Sequence, residues 1–99
     1  MQSSGVGNTI NMLSLIQHCQ FPFLTLVTLR GDFGEQNPWQ FGMGQATQPV
    51  LEEMGLICLR AEREEDVVPT VEASIGMVEP GGRAVAVLLT QRLLGAKKF

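Results

Sequence analysis

The sequence predicts an α/β fold: a three-layer, Rossmann-like sheet of parallel strands covered by helices on both faces. Three observations predict it. Phe23-Leu24-Thr25-Leu26-Val27-Thr28-Leu29 and Ala84-Val85-Ala86-Val87-Leu88-Leu89 are apolar or β-branched on both faces, as buried parallel strands are. The stretches between such runs carry helical periodicity, so helix and strand alternate, the pattern of parallel strands joined by crossovers. A glycine-bearing stretch, Ser3-Ser4-Gly5-Val6-Gly7-Asn8, opens the first helix.

That first stretch reads as a turn. Two glycines around one apolar residue let the backbone bend sharply and let a ligand approach it without Cβ interference. Asn8 is placed to cap the helix that follows. A helix start leaves N–H groups unpaired, which suits a polar or anionic partner. The same residues also serve simply to turn a corner. A helix is expected over about 8–18, with Met12, Leu13, Leu15 and Ile16 as its apolar face. Pro22 closes the connection, and the strand at about 23–29 follows.

The next segment, Gln36 to Gly44, is polar and glycine-rich and reads as a loop carrying Trp39 and Phe41, two aromatics that need something to pack against, either their own domain by default or a partner subunit. A second helix is expected over about 47–54, with Pro49 in its first turn, an Ala46-Val50-Met54 stripe, and Gly55 just past its end. Leu56 to Arg60 gives a short strand. Glu64-Glu65-Asp66 opens a third helix over about 66–78, with Pro69 in its first turn, Gly76 allowing close packing, and Val67, Val71, Ile75 and Val78 as the buried stripe. The strand at about 84–89 completes the set, and a polar, basic tail follows.

Composition sets further bounds. The 99 residues suit one small domain. At 44% hydrophobic and 17% charged, the chain is globular. A net charge of −3, with Lys97-Lys98 as the one basic pair of note, argues against a nucleic-acid surface. No apolar run is long enough for a membrane span, and no secretory signal is evident, so a cytoplasmic location is expected. Cys19 and Cys58 lack metal-type spacing and read as two buried thiols. His18 is the single histidine and reads as a helix-end residue.

Common motifs of catalysis fail at specific positions. A dinucleotide fingerprint would need glycine where Ile10 stands, and neither a P-loop nor a nucleophile elbow occurs. Arg30 leaves the carboxyl end of a strand, where ligands sit in open α/β sheets. It suits an anionic substrate group; an ion pair with Asp32 or Glu35 suits it equally. Gln40 either reaches a substrate or bonds its own loop.

The glycine stretch Gln2 to Asn8, the run ending Arg30-Gly31-Asp32, the segment Asn37-Pro38-Trp39-Gln40-Phe41-Gly42-Met43-Gly44, and the strand Ala84 to Leu89 follow one another as in a known family. In that order they resemble the pyrimidine-binding domain of thiamine diphosphate enzymes, in the small-subunit type of sulfopyruvate and phosphonopyruvate decarboxylases. The resemblance implies that residues 1–99 form one α/β domain matching the later part of that domain, with Met1-Gln2 as the stub of a further strand. It implies that Gly5, Val6, Gly7 and Asn8 lie against thiamine diphosphate, with Arg30 and Gln40 facing a small 2-oxoacid. The family's activating glutamate lies upstream of the glycine stretch, and Glu35, on a different loop, does not replace it. The family's metal motif is a Gly-Asp-Gly followed by asparagine; Gly31-Asp32-Phe33 departs from it. Mg2+ would therefore be held by a partner domain or subunit in an oligomer, and the chain alone is expected neither to bind the cofactor tightly nor to decarboxylate. A non-catalytic interaction module is the alternative.

Overall fold

The structure is a computed structural model that describes residues 1–31 and 35–94, apart from the side chains of Ser3, Ser4, Asn8 and Leu94. Asp32 as an ion-pair partner, the comparison at Asp32-Phe33, and the basic pair Lys97-Lys98 lie outside the described residues. A short helix α1 (Ser3–Val6) runs through a 3-10 turn (Gly7–Thr9) into α2 (Ile10–Cys19). Then come β1 (Phe23–Thr28), α3 (Trp39–Glu53), β2 (Ile57–Ala61), α4 (Glu64–Val78), β3 (Ala84–Leu89) and α5 (Gln91–Leu94).

The three strands form one parallel sheet in the order β1-β3-β2, with Val27 level with Leu88 and Leu88 with Arg60. This order explains the layers. The chain steps across β3 to reach β2, then steps back to reach β3. Two crossovers of the same hand that move in opposite directions place their helices on opposite faces. Accordingly, Leu13 and Ile16 of α2 and Leu51 of α3 join Val27, Ala86 and Leu88 in one core cluster. The alternation of β3 turns Val85 and Val87 to the other face, where α4 lies across β3 and β2. Both sets are fully buried, as the continuous apolar run of β3 requires.

Met1 and Gln2 extend the sheet. Gln2 forms a parallel bridge with Thr28, whose N–H donates to the Met1 carbonyl at 2.7 Å. The Met1 amino group also meets the Leu26 carbonyl. The stretch before α1 thus lies beside the last residues of β1 and leaves the sheet at its carboxyl end.

Several local expectations are corrected. The glycine stretch is helical: Gly7 has φ −58°, and neither Gly5 nor Gly7 takes a positive φ. Asn8 lies within the 3-10 turn rather than at a helix boundary. The polar segment after Pro38 is helix, not loop. Pro38 sits at the start of α3, and Asn37 Oδ1 accepts the Trp39 N–H at 3.1 Å, a cap that the glycines downstream obscured. Pro49 consequently lies inside α3, whose buried residues are Thr47 and Leu51. Helix α4 opens at Glu64, as its acidic start implied, so Pro69 lies in its second turn rather than its first. Its covered stripe passes through the fully buried Ser74, which rotates Ile75 out to 51% exposure. A 3.6-residue period from Val67 and Val71 reaches Ser74 and Val78, and Ser74 satisfies its hydroxyl on the Val71 carbonyl at 2.7 Å. Met12 and Leu15 of α2 are also exposed, Cys19 is exposed rather than buried, and Gly76 has open space around it. Thr90 and Gln91, expected in a polar tail, are buried.

Candidate functional site at the carboxyl end of the sheet

Three segments converge where the strands end. The β1 strand feeds Leu29, Arg30 and Gly31; β3 feeds Thr90 and Gln91; and α1 starts beside Thr28 and lies against α3. The connections after β1 and β2 depart to opposite faces, the topology that opens a crevice in a parallel sheet.

The helix α3 is drawn very close to the chain after β1. A Cβ on Gly44 would fall on the Arg30 carbonyl, and one on Gly31 would fall on the Gln40 carbonyl. Gly31 also has φ +73°, a conformation that favours glycine. Gln45 Nε2 donates to the Gly31 carbonyl at 2.8 Å and fixes the crossing.

Glu35 is the centre of this region. Its Oε1 accepts from Arg30 Nε at 2.9 Å, the Gly31 N–H at 2.8 Å and Gln91 Nε2 at 3.1 Å. Its Oε2 accepts from Arg30 Nη2 at 2.9 Å and from the N–H groups of Gln36 and Asn37 at 3.1 Å each. The Glu35 side chain is 0% exposed, whereas that of Arg30 is 26% exposed. The guanidinium, reinforced by the backbone N–H groups and by Gln91, holds the Glu35 carboxyl well below the usual carboxylate range. The same hydrogen bond raises Arg30 above its ordinary value. Through Gln91 the loop after β1 is tied to the turn after β3.

Beside this latch lies a groove of about 290 Å³, lined by Leu29, Arg30, Gln45, Gln48, Glu52 and Arg60 among others. Arg60 shares the sheet face of Val27 and Leu88 and donates from Nη1 to Gln48 Oε1 of α3 at 2.7 Å.

The expected site residues are distributed as follows. Gly5 is half-buried and Gly7 exposed, and a Cβ at Gly7 would meet nothing within 4 Å. Their lack of a side chain is therefore not demanded by any described neighbour. Val6 is 3% exposed and belongs to the core cluster, so its side chain faces the protein's own interior. Arg30 stands at the latch. Gln40 sits in the first turn of α3 with its backbone against Gly31; its Oε1 is buried and accepts no hydrogen bond among the described residues. Of the two readings of Arg30, the ion pair with Glu35 is present, and it is shielded rather than superficial. Gln91 was missed, and Glu35 was named in the sequence only as one of two ion-pair partners for Arg30. The one signal for Gln91 was an uncharged polar residue directly following a fully apolar strand.

No family model matches the chain. Among curated proteins it is 34% identical, over 94 residues covering 90% of the chain, to sulfopyruvate decarboxylase subunit alpha of Methanococcus maripaludis. A second match, to the same subunit of Methanocaldococcus jannaschii, is 43% identical over 53 residues covering 52% of the chain. The chain resembles sulfopyruvate decarboxylase subunit alpha. The aligned region covers 54% of the first relative and 31% of the second, so the chain spans about half the length of the longer match. Trp39 and Phe41, on the exposed start of α3, are 76% and 46% exposed. No described helix is long and apolar enough to cross a membrane.

Proposed function

We propose that this chain contributes the pyrimidine-side edge of a thiamine diphosphate-dependent 2-oxoacid decarboxylase and works with a partner subunit that holds the diphosphate and its Mg2+. The observation that carries the proposal is the meeting, at one sheet edge, of the α1 start, the Arg30 latch and Gln40, in a chain resembling a decarboxylase subunit.

The residues present fit such a group. Gly5 and Gly7 expose backbone without needing their glycines for their own packing, which leaves room for a flat ligand to approach. Asn8 follows on the same turn. Val6 supports this surface from beneath, as part of the core, rather than by touching the ligand. Gln40 Oε1 is a buried acceptor without a partner among the described residues and suits a donor on a bound molecule, whether cofactor or substrate. Arg30 suits the substrate's carboxylate or sulfonate, because a guanidinium matches such groups with paired donors. Thiamine diphosphate, when bound, supplies the electron sink for loss of carbon dioxide; the protein supplies orientation and a dry site. The exposed aromatics Trp39 and Phe41 fit a contact with the partner subunit, since such residues bury large area at subunit contacts.

The test is reconstitution of the chain with its partner subunit, thiamine diphosphate and Mg2+. Carbon dioxide release from a small anionic 2-oxoacid is expected, with Gly5→Val abolishing turnover and Arg30→Ala raising KM. Absence of turnover, or variants matching the parent in both kcat and KM, would refute the reading and favour a non-catalytic interaction module.

A further inference from the structure

The contact between Arg30 and Glu35 is side-on: Nε and Nη2 together engage both carboxylate oxygens. A guanidinium carries five N–H donors in a rigid plane. A side-on pair uses one edge of that plane; the second, the end-on fork formed by Nη1 and the remaining Nη2 hydrogen, meets no acceptor among the described residues. Arg30 lines the groove between α3 and the strand ends, together with Gln45, Gln48, Glu52 and Arg60. We propose that Glu35 is a positioning residue that fixes Arg30 so that its end-on fork meets a small carboxylate or sulfonate in that groove. The inference rests on the reading of Arg30 as the group that receives the anionic end of the substrate.

Three features favour this role over simple neutralisation. Glu35 is held by backbone N–H groups of Gly31, Gln36 and Asn37 and by Gln91, so it cannot swing to follow Arg30. The burial is one-sided: Glu35 is shielded and Arg30 reaches solvent. Arg60, oriented by Gln48, brings a second guanidinium to the same groove, with Glu52 on the groove wall and Glu62 3.9 Å from the Arg60 Nε. Fixing a long side chain before the ligand arrives removes an ordering cost from binding. Glu35 thereby sets where the anion sits without touching it.

The experiment follows the Arg30 Nε–H resonance in the chain during titration with sulfoacetate, which carries a carboxylate and a sulfonate. In the parent, the Nε–H signal should be resolved and slow to exchange, and sulfoacetate should shift it saturably. Glu35→Gln should keep the backbone spectrum outside residues 30–37, lose the slow exchange, and weaken sulfoacetate binding by about threefold or more, the scale of one charge-assisted hydrogen bond partly lost. Gln91→Met, which removes one bond to Glu35 and keeps its charge, should speed Nε–H exchange and weaken binding in the same direction; it serves if Glu35→Gln does not fold. A parent signal that ignores sulfoacetate, or variants that bind it as the parent does, would overturn the proposal. The readout needs neither thiamine diphosphate nor turnover. Failure of decarboxylation in the reconstituted complex would therefore refute the enzyme reading and leave the anion site standing, and the converse also holds.

Discussion

Replacing Gly44 by alanine should destabilise the chain although alanine is the better helix former. Gly44 lies inside α3, where an exposed Gly→Ala change would gain about 1 kcal/mol. Here the added Cβ would fall on the Arg30 carbonyl oxygen, lie 2.6 Å from the carbonyl carbon, and lie 2.9 Å from Gly31 Cα. All three neighbours are backbone, so no side chain can rotate away. Either α3 or the chain after β1 must move by about 1 Å, and overpacking of this kind costs typically about 1–3 kcal/mol, occasionally more. The Gln45 bond to the Gly31 carbonyl and the Glu35 latch resist the movement. A backbone clash this close puts the cost at the upper end, about 2–3 kcal/mol, so after the helix gain of about 1 kcal/mol the net expectation is a loss of about 1–2 kcal/mol, or a Tm lower by roughly 5–15 °C for a domain of this size. Gly76→Ala in α4 is the matched control. Nothing lies within 4 Å of a Cβ there, so that variant should gain about 1 kcal/mol. Urea unfolding followed by circular dichroism measures both. A Gly44→Ala chain as stable as the parent, with Gly76→Ala stabilised, would refute the backbone contact and the placement of Arg30 that depends on it.

Three further outcomes are expected. Because the Glu35 carboxyl is held below its usual range when folded, the unfolded chain binds the extra proton first as pH falls. The stability that Glu35 adds over Glu35→Gln should be constant at neutral pH and shrink below about pH 4.5, the ordinary glutamate range. Denaturant midpoints across pH 3–7 measure this, and a gap that widens in acid would contradict the latch. Burial, with Glu52 adding to it, pushes the Cys58 thiol up to about 11, so at pH 8 about one molecule in a thousand carries its thiolate. Iodoacetamide with peptide mapping should therefore label exposed Cys19 well before Cys58. Trp39 is the single tryptophan and is 76% exposed, so its emission should shift to the blue when the partner subunit binds; an unchanged spectrum on a formed complex would place the interface elsewhere.

The strands were legible because their signal is collective. Six successive apolar residues in Ala84–Leu89 have one economical use, a central strand covered on both faces, and β3 is the central strand. Helix boundaries were less legible because local signals competed. Gly42 and Gly44 lower the propensity of α3 enough to read as a loop, yet Gly44 is there for a contact with the chain after β1, 14 residues away in sequence, that no local pattern announces. Ile75 looked like core because it is isoleucine, whereas the period of α4 turned the smaller Ser74 inward, where its hydroxyl finds a carbonyl within its own helix.

The site shows the same division. Arg30 was legible because a charged residue directly after a buried strand must leave the sheet at its ligand-bearing end. Glu35 was legible only as a partner for Arg30, because its other contacts are brought together by the fold. Three of its partners are backbone N–H groups of its own loop, one is Arg30, and one, Gln91, is 56 residues further along the chain. A carboxylate that collects this many donors while shielded from water is expensive to desolvate, and it is held in place because every oxygen lone pair has work elsewhere in the structure. The direct way to separate its structural share from its share in presenting Arg30 is a double-mutant cycle. Glu35→Gln and Arg30→Lys, singly and together, should couple in both stability and sulfoacetate binding, since each removes the same side-on pair. Coupling in stability with additive effects on binding would show that Glu35 braces the loop and leaves the anion to Arg30 alone.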